Sequence, residues 1–144
     1  MKKTIKIIAV AVLTIMVCLS FASCGNNKSS LNDDGGSSYN GPNKDPKKAE
    51  AALEKAGYTV QLDMLDEAAD DGAVAYVSAY KDMNDTITIV YYKDTTAAKV
   101  AFEEAERIFE ELKDEIGDLA DNYVCDRADK VVYLGTKSAA SSAK

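Results

Sequence analysis

Two different spacings of apolar residues divide the chain between residues 45 and 134, and the order in which they alternate constrains the fold. Apolar residues three or four positions apart predict helices, whereas apolar residues at every second position predict half-buried strands. The resulting order, α-β-β-β-α-β-β, predicts an α+β domain. The helical segments are residues 46–56 and 96–116, and the strand segments are residues 58–64, 73–80, 86–92, 122–126 and 130–134.

Capping residues mark the ends of both predicted helices. Asp45 and Pro46 suit the N-cap and first helical position of the first helix, and Gly57 follows its end. Asp94 precedes the second helix and Gly117 follows it. The second helix has one apolar and one charged face, which is typical of a helix packed on a sheet.

Short turns between the predicted strands indicate how they are arranged. Residues 66–72 and 81–85 separate the first three strands, and Arg127 and Ala128 separate the last two. Connections this short favour antiparallel neighbours. We therefore expect two helices packed on one face of a roughly five-stranded, mainly antiparallel sheet, with the other face partly open to solvent.

A separate apolar segment occupies residues 7–21 and follows three lysines, Lys2, Lys3 and Lys6. As a helix it would span roughly 22 Å, which is short of the roughly 30 Å hydrocarbon core, so we do not expect a permanent transmembrane helix. A positive start, a short apolar run and small residues before a cleavage point form the pattern of a signal peptide. Residues 1–23 are therefore predicted to be a signal peptide.

The end of this segment, Phe21-Ala22-Ser23-Cys24, resembles the lipobox of bacterial lipoproteins, with Phe21 where the family usually has Leu or another aliphatic residue. The resemblance implies cleavage before Cys24 and a diacylglyceryl anchor on its sulfur. It therefore implies a lipid-bilayer partner and a location on the outer face of the cytoplasmic membrane. Ser20 and Ala22 also fit the small-x-small rule of ordinary signal peptidase, and cleavage after Ala22 would instead release a secreted protein.

The sequence after Cys24 suggests how the mature protein is organised. Residues 25–44 are rich in Gly, Asn, Ser, Asp and Lys and have no periodicity, so residues 24–44 are predicted to be a flexible tether with a span of roughly 25 Å. Residues 45–136 would form one α+β domain, and the Ser/Ala-rich residues 137–144 a flexible tail. The chain resembles Firmicutes lipoproteins with a Cys-Gly-Asn start and one small α+β domain, which implies a location and an architecture and no activity.

Charge and residue types exclude several kinds of site. Residues 45–136 contain 22 acidic and 10 basic residues, a net charge of −12, which repels the phosphates of nucleic acids. The chain has no histidine, so Ser-His-Asp and Cys-His catalysis and histidine-based zinc sites are excluded. If Cys24 carries lipid, Cys125 has no disulfide partner in the mature chain. We expect no cofactor and no nucleic-acid partner.

Three groups of side chains remain as candidate sites. The acidic loop at residues 66–71 is interpreted as a solvated turn, with a weak Ca²⁺ site and a catalytic carboxylate pair as alternatives. Cys125, with Arg127 as its nearest activator, is interpreted as a small core residue. Tyrosines on neighbouring strands are the stronger surface candidates, because several emerging on an open sheet face would form a platform for a glycan or a protein. These candidate tyrosines are Tyr76, Tyr80, Tyr91, Tyr92, Tyr123 and Tyr133.

Together these observations predict a membrane-anchored, extracytoplasmic, non-catalytic module that binds a partner in the cell envelope, a protein rather than a small ligand. The alternatives are a carboxylate-based enzyme or accessory acting on envelope polymers, and a structural surface protein without a dedicated ligand. A buried carboxylate pair in a concave pocket would favour the enzyme, whereas a flat, tyrosine-lined sheet face would favour binding. No catalytic, cofactor-binding or metal-ligating residue is predicted.

Overall fold

The computed structural model describes residues 40–144, and it confirms the predicted α+β class and the order of the seven predicted elements. A short 3₁₀ helix before the last hairpin and a C-terminal helix are additional. In chain order the elements are α1 (Pro46–Lys55), β1 (Thr59–Met64), β2 (Ala73–Asp82), β3 (Asp85–Tyr92), α2 (Thr95–Ile116), the 3₁₀ helix (Gly117–Asn122), β4 (Tyr123–Ala128), β5 (Val131–Thr136) and α3 (Lys137–Ser142).

The capping residues predicted from sequence begin both long helices. The Asp45 side chain accepts a hydrogen bond from the Lys47 amide at 3.0 Å, and the Asp94 side chain accepts one from the Ala97 amide at 2.8 Å. Gly117 ends α2 with a positive φ of 58°. Each cap satisfies a backbone group that the first or last turn leaves unpaired.

The five strands form one antiparallel sheet in the order β1-β2-β3-β5-β4. Three pairs are sequence neighbours joined by hairpins or a short loop. The exception is β3, which pairs with β5 rather than β4. The helix α2 therefore carries the chain across the sheet, so that β4 becomes one edge and β1 the other.

The two faces of the sheet are covered by different helices. Ile87 and Ile89 belong to a core cluster with α1 and α3, whereas Val90 and Tyr92 pack with α2. Two helices do share one face, as expected, but they are α1 and α3. The helix α2 packs on the opposite face, because β3 has apolar side chains on both of its sides. We term the two sides the α1 face and the α2 face.

Small side chains bring the helices close to the sheet. Ala49 and Leu53 of α1 are fully buried, and Leu53 contributes about 2 kcal/mol relative to an exposed leucine. On α2 the buried face consists mainly of alanines, with Phe109 nearer its end. Since alanine adds little bulk between helix and strand, α2 can pack closely against the part of the sheet that it covers, which is β3, β5 and β4.

The β4–β5 turn lies two residues later than predicted. Arg127 and Ala128 continue β4, and the chain turns at Asp129 and Lys130. Asp129 has a φ of 57°, a left-handed conformation that Asp adopts more readily than most residues. The Arg127 guanidinium donates to the Asp129 carbonyl oxygen at 3.0 Å and stabilises this turn.

Residues 137–144 do not form the predicted flexible tail. Lys137–Ser142 form α3, whose N-cap Thr136 accepts a hydrogen bond from the Ala139 amide at 3.3 Å. Ala139 and Ala143 are fully buried on the α1 face. The sequence pattern hides this helix because alanine is a weak apolar signal, yet alanine has the highest helix propensity and loses no side-chain entropy on burial.

The folded domain also begins before residue 45, which corrects the predicted end of the tether. Gly41 and Pro42 are buried. The Asn43 amide donates to the Ala143 carbonyl oxygen at 2.7 Å, and the Tyr91 hydroxyl donates to the Asn43 carbonyl oxygen at 2.9 Å. Residues 41–44 thus belong to the domain, and the predicted signal peptide and the tether up to residue 39 lie outside the described residues.

Candidate binding surface

Three of the six candidate tyrosines are buried and do not contribute to a surface platform. Tyr91 and Tyr133 lie on the α1 face within its core cluster. The Tyr133 hydroxyl donates to the Asp126 carboxylate at 3.2 Å. Tyr92 is buried on the α2 face, beneath α2. Their rings stabilise the two cores, so these three candidates do not belong to an exposed platform.

The other three candidates, Tyr76, Tyr80 and Tyr123, share the α2 face. The strand register places Tyr80 between Thr59 of β1 and Thr86 of β3. Its side chain is 56% exposed, whereas those of Tyr76 and Tyr123 are half-buried. Tyr80 therefore offers the most accessible aromatic ring of the candidate set.

The helix α2 leaves one side of its sheet face uncovered. Its main sheet contacts are with β3, β4 and β5, while β1 and the second half of β2 extend beyond it. We term this uncovered region the open patch. It consists of Thr59, Gln61 and Asp63 of β1, Ser78 and Tyr80 of β2, and Thr86 of β3.

The open patch combines one aromatic ring with many hydrogen-bonding groups. Gln61 and Asp63 are exposed, and the Gln61 amide donates to the Asp63 carboxylate at 3.1 Å. The hydroxyls of Thr59, Ser78 and Thr86 add donors and acceptors. An aromatic ring surrounded by such groups suits stacking against a sugar or contact with a polar protein surface.

Tyr123 borders the open patch beyond Thr86 and remains a neutral phenol. Burial raises the pKa of Tyr123, and the negative charges of Asp85 and Asp82 raise it further, while a hydrogen bond with Thr86 partly opposes the rise. The hydroxyl is therefore protonated near neutral pH. It acts as a hydrogen-bonding group, not as an anion.

A cluster around Asp85, at the start of β3, is the polar site that sequence reasoning missed. The Asp85 carboxylate accepts hydrogen bonds from the Tyr58 hydroxyl at 2.8 Å, the Ser138 hydroxyl at 2.8 Å and the Thr136 hydroxyl. Burial alone would raise the pKa of Asp85, but these three donors, together with Lys81, hold it below its usual value. These hydrogen bonds connect the start of α3 to β3 and to Tyr58.

The sequence contains one weak signal for this cluster. Thr136 suits an N-cap, which would have indicated a helix after β5 and placed Ser138 in its first turn. The partner Asp85 lies 51 residues before Thr136, and no local pattern connects the two.

Cys125 lies half-buried on the α2 face and packs against the α2 core cluster, as interpreted from sequence. Burial raises the pKa of its thiol to about 12, and the nearby carboxylates of Glu106, Asp126 and Glu110 add to the effect. The proposed activator Arg127 instead donates to a backbone carbonyl in the β4–β5 turn. A thiol with so high a pKa is a poor nucleophile at neutral pH.

The acidic loop between β1 and β2 lies at the surface. Asp66, Glu67 and Asp70 are exposed, and Asp71 is half-buried and accepts a hydrogen bond from the Ala73 amide at 3.0 Å. Within residues 40–144, no three His, Cys, Asp or Glu side chains come together in a group that could hold a metal ion. Asp71 therefore shapes the turn into β2.

Comparisons with known proteins do not assign this chain to a family. No protein-family model, curated protein or solved structure matches the chain. In the described part of the chain, no helix has both the length and the apolar character needed to cross a bilayer.

Proposed function

We propose that this protein is a lipoprotein anchored through Cys24 to the outer face of the cytoplasmic membrane, and that its folded domain is a non-catalytic module binding a protein of the cell envelope. The observation that carries the binding role is the exposed Tyr80 ring within the polar open patch. The anchor rests on the lipobox-like segment ending at Cys24.

The position of the open patch favours a protein partner. The patch extends to β1, an edge strand whose outer backbone groups pair with no other strand among residues 40–144. An edge strand beside an accessible side-chain surface offers a partner both backbone hydrogen bonds and side-chain contacts. A sheet face also suits a protein surface better than a small ligand, which usually requires a concave site.

The carboxylates that bear on the enzyme alternative are the acidic loop at residues 66–71, named from sequence, and Asp85, found in the structure. Asp66, Glu67 and Asp70 are exposed, and the half-buried Asp85 has three hydroxyl groups as its hydrogen-bond partners. Acid catalysis by a carboxylate pair needs one member with a raised pKa, whereas the pKa of Asp85 is lowered. These features support a binding role over a catalytic one.

Site-specific photocrosslinking in native membranes tests the binding role. A photoactivatable phenylalanine at position 80 reports on the open patch, and the same residue at position 100 serves as a matched control, because Val100 is 63% exposed on α2. We expect position 80 to capture one specific envelope protein that position 100 does not. Identical products from both positions would contradict the proposed binding surface.

The anchor has its own test. Metabolic labelling with a fatty acid, followed by mass spectrometry of the N-terminal peptide, is expected to identify a diacylglyceryl group on Cys24. The Cys24→Ser variant should lose the label, while Cys125→Ser should keep it. A mature N-terminus at Ser23 would instead identify the secreted alternative.

A further inference from the structure

Charged side chains are segregated between the two sides of the domain. The basic layer, defined as residues 40–56 and 137–144 on the α1 face, contains six basic and three acidic side chains, a net charge of +3. Residues 94–122, which comprise α2 and its flanks, contain three basic and ten acidic side chains, a net charge of −7. The domain is thus strongly polarised, which its total charge conceals.

The lysines of the basic layer are accessible. The side of α1 that contains Ala49 and Leu53 packs against the sheet. The side chains of Lys47, Lys48 and Lys55 are exposed. Lys44 and Lys144 are also exposed; Lys44 bonds to the exposed Asp129 at 3.4 Å and Lys144 to Asn40 at 3.0 Å. The Lys137 ammonium group instead donates a hydrogen bond to the Asp121 carbonyl oxygen at 2.7 Å, at the end of the 3₁₀ helix.

The chain joins the domain in the same layer. Pro42 is buried, and the backbone of Asn43 is hydrogen-bonded to Ala143 and to the Tyr91 hydroxyl. The preceding chain therefore enters the domain within the basic layer, and the predicted tether, with a span of roughly 25 Å, gives this layer a high effective concentration at the attachment surface.

We propose that the basic layer lies against anionic phospholipid head groups of the membrane, an inference that rests on the proposed anchor at Cys24. Each lysine close to an anionic bilayer favours the adsorbed state by roughly fivefold. The acidic α2 side is repelled by the same surface, so attraction and repulsion orient the domain in the same sense. The open patch, on the α2 face, is then turned away from the bilayer and towards its partner.

Depth-dependent fluorescence quenching tests this orientation. The lipidated full chain, in a Cys125→Ala background, carries a thiol-reactive fluorophore introduced by Ala51→Cys on α1 or by Val100→Cys on α2, both exposed positions. The protein is reconstituted into vesicles of phosphatidylglycerol and phosphatidylcholine, or of phosphatidylcholine alone, each containing a head-group spin-labelled quencher lipid. We expect stronger quenching at position 51 than at position 100 in phosphatidylglycerol vesicles, and loss of this difference in phosphatidylcholine or high salt.

Charge variants provide the matched control. The double variant Lys47→Gln with Lys48→Gln should lower the ratio of adsorbed to free domain by roughly 30-fold, on the same per-lysine effect. The variant Lys99→Gln on α2 should not lower it. Equal quenching at positions 51 and 100, or a difference independent of phosphatidylglycerol, would overturn the proposal. A further outcome is that the double variant loses retention on an immobilised anionic polymer while its quenching in vesicles stays unchanged. That result would assign the basic layer to the polymer and would also overturn the proposal.

The failure of this proposal can be separated from a failure of the proposed function. Mass spectrometry of the reconstituted protein establishes the lipid on Cys24 before any quenching is measured. If Cys24 carries no lipid, the proposed anchor is wrong, and the orientation is then measured with the chain from residue 25 attached by an N-terminal polyhistidine tag to nickel-chelating lipid in the same vesicles. In that case too, stronger quenching at position 51 than at position 100 supports adsorption through the basic layer. Equal quenching at the two positions overturns the proposal.

Discussion

Gly135 of β5 lies opposite Ile87 of β3 and has no space for a side chain. A side-chain methyl at this position would meet the Thr86 carbonyl oxygen and would lie 2.5 Å from the Ile87 Cα atom. Both obstacles are backbone atoms in the centre of the sheet, so they cannot rotate away. We therefore expect Gly135→Ala to lower the free energy of unfolding by about 1–3 kcal/mol, measured by urea denaturation.

A matched variant separates this clash from a general effect of added volume. Ala51 is exposed on α1, so Ala51→Leu places a larger side chain in solvent. We expect its unfolding free energy to stay within about 0.5 kcal/mol of the wild-type value. If Gly135→Ala is as stable as the wild type, the close approach of the two strands is wrong.

The residues of the candidate site were only partly predictable from sequence. Tyr76 and Tyr80 are four positions apart on one strand, and the pleat correctly places them on one face. Tyr91 and Tyr92 are adjacent on β3, so the same alternation requires them to face opposite sides, and both cannot belong to one platform. The grouping of Asp85 with Tyr58, Thr136 and Ser138 depends on tertiary contacts, which a local pattern does not contain.

At the scale of elements, the Asp85 cluster is expected to determine whether α3 stays docked. Asp85→Asn replaces a charged acceptor that serves three hydroxyl donors, and we expect it to lower the free energy of unfolding by about 1–2 kcal/mol at neutral pH. Hydrogen exchange at the Ala143 amide, which bonds to the Ala139 carbonyl oxygen, should become faster.

The same cluster predicts a pH dependence with a definite sign. The pKa of Asp85 is lower in the folded than in the unfolded state, so its contribution to stability is complete above the unfolded value of about 3.9 and declines as the pH falls towards the folded value. The stability difference between wild type and Asp85→Asn should therefore shrink below about pH 4. Asp66→Asn, in the exposed loop, is the control. Parallel stability curves for wild type and Asp85→Asn would contradict the role of the carboxylate.

Element positions were predictable, whereas the side of the sheet on which each helix packs was not. Asp45, Gly57, Asp94 and Gly117 define helix ends through local hydrogen bonds and backbone angles, which a sequence carries directly. The choice of face depends on which strands become neighbours, and β3 pairs with β5, which follows α2 and β4 in the chain, rather than with the next strand. The helix α3 was missed because its buried residues are alanines, which give little apolar contrast.

At the scale of the whole molecule, the two ends of the described chain are joined at one place. The Tyr91 hydroxyl supports this junction through the Asn43 carbonyl oxygen. We expect Tyr91→Phe to lower the free energy of unfolding by about 0.5–1.5 kcal/mol and to accelerate hydrogen exchange at the Asn43 amide. Tyr80→Phe, which removes an exposed hydroxyl, is the control and should leave both quantities unchanged. Unchanged exchange at Asn43 in Tyr91→Phe would show that the junction does not depend on this hydroxyl.

The junction of residues 41–44 with α3 also determines where the domain yields to mechanical load. A pull transmitted along the preceding chain acts first on the Asn40–Lys144 hydrogen bond, and then on the Asn43–Ala143 hydrogen bond and the Lys44–Asp129 ion pair. These contacts lie in series along the pulled segment, so they open one after another rather than all at once. We expect the sheet, whose neighbouring strands share many hydrogen bonds, to remain intact while a few residues of additional tether are released.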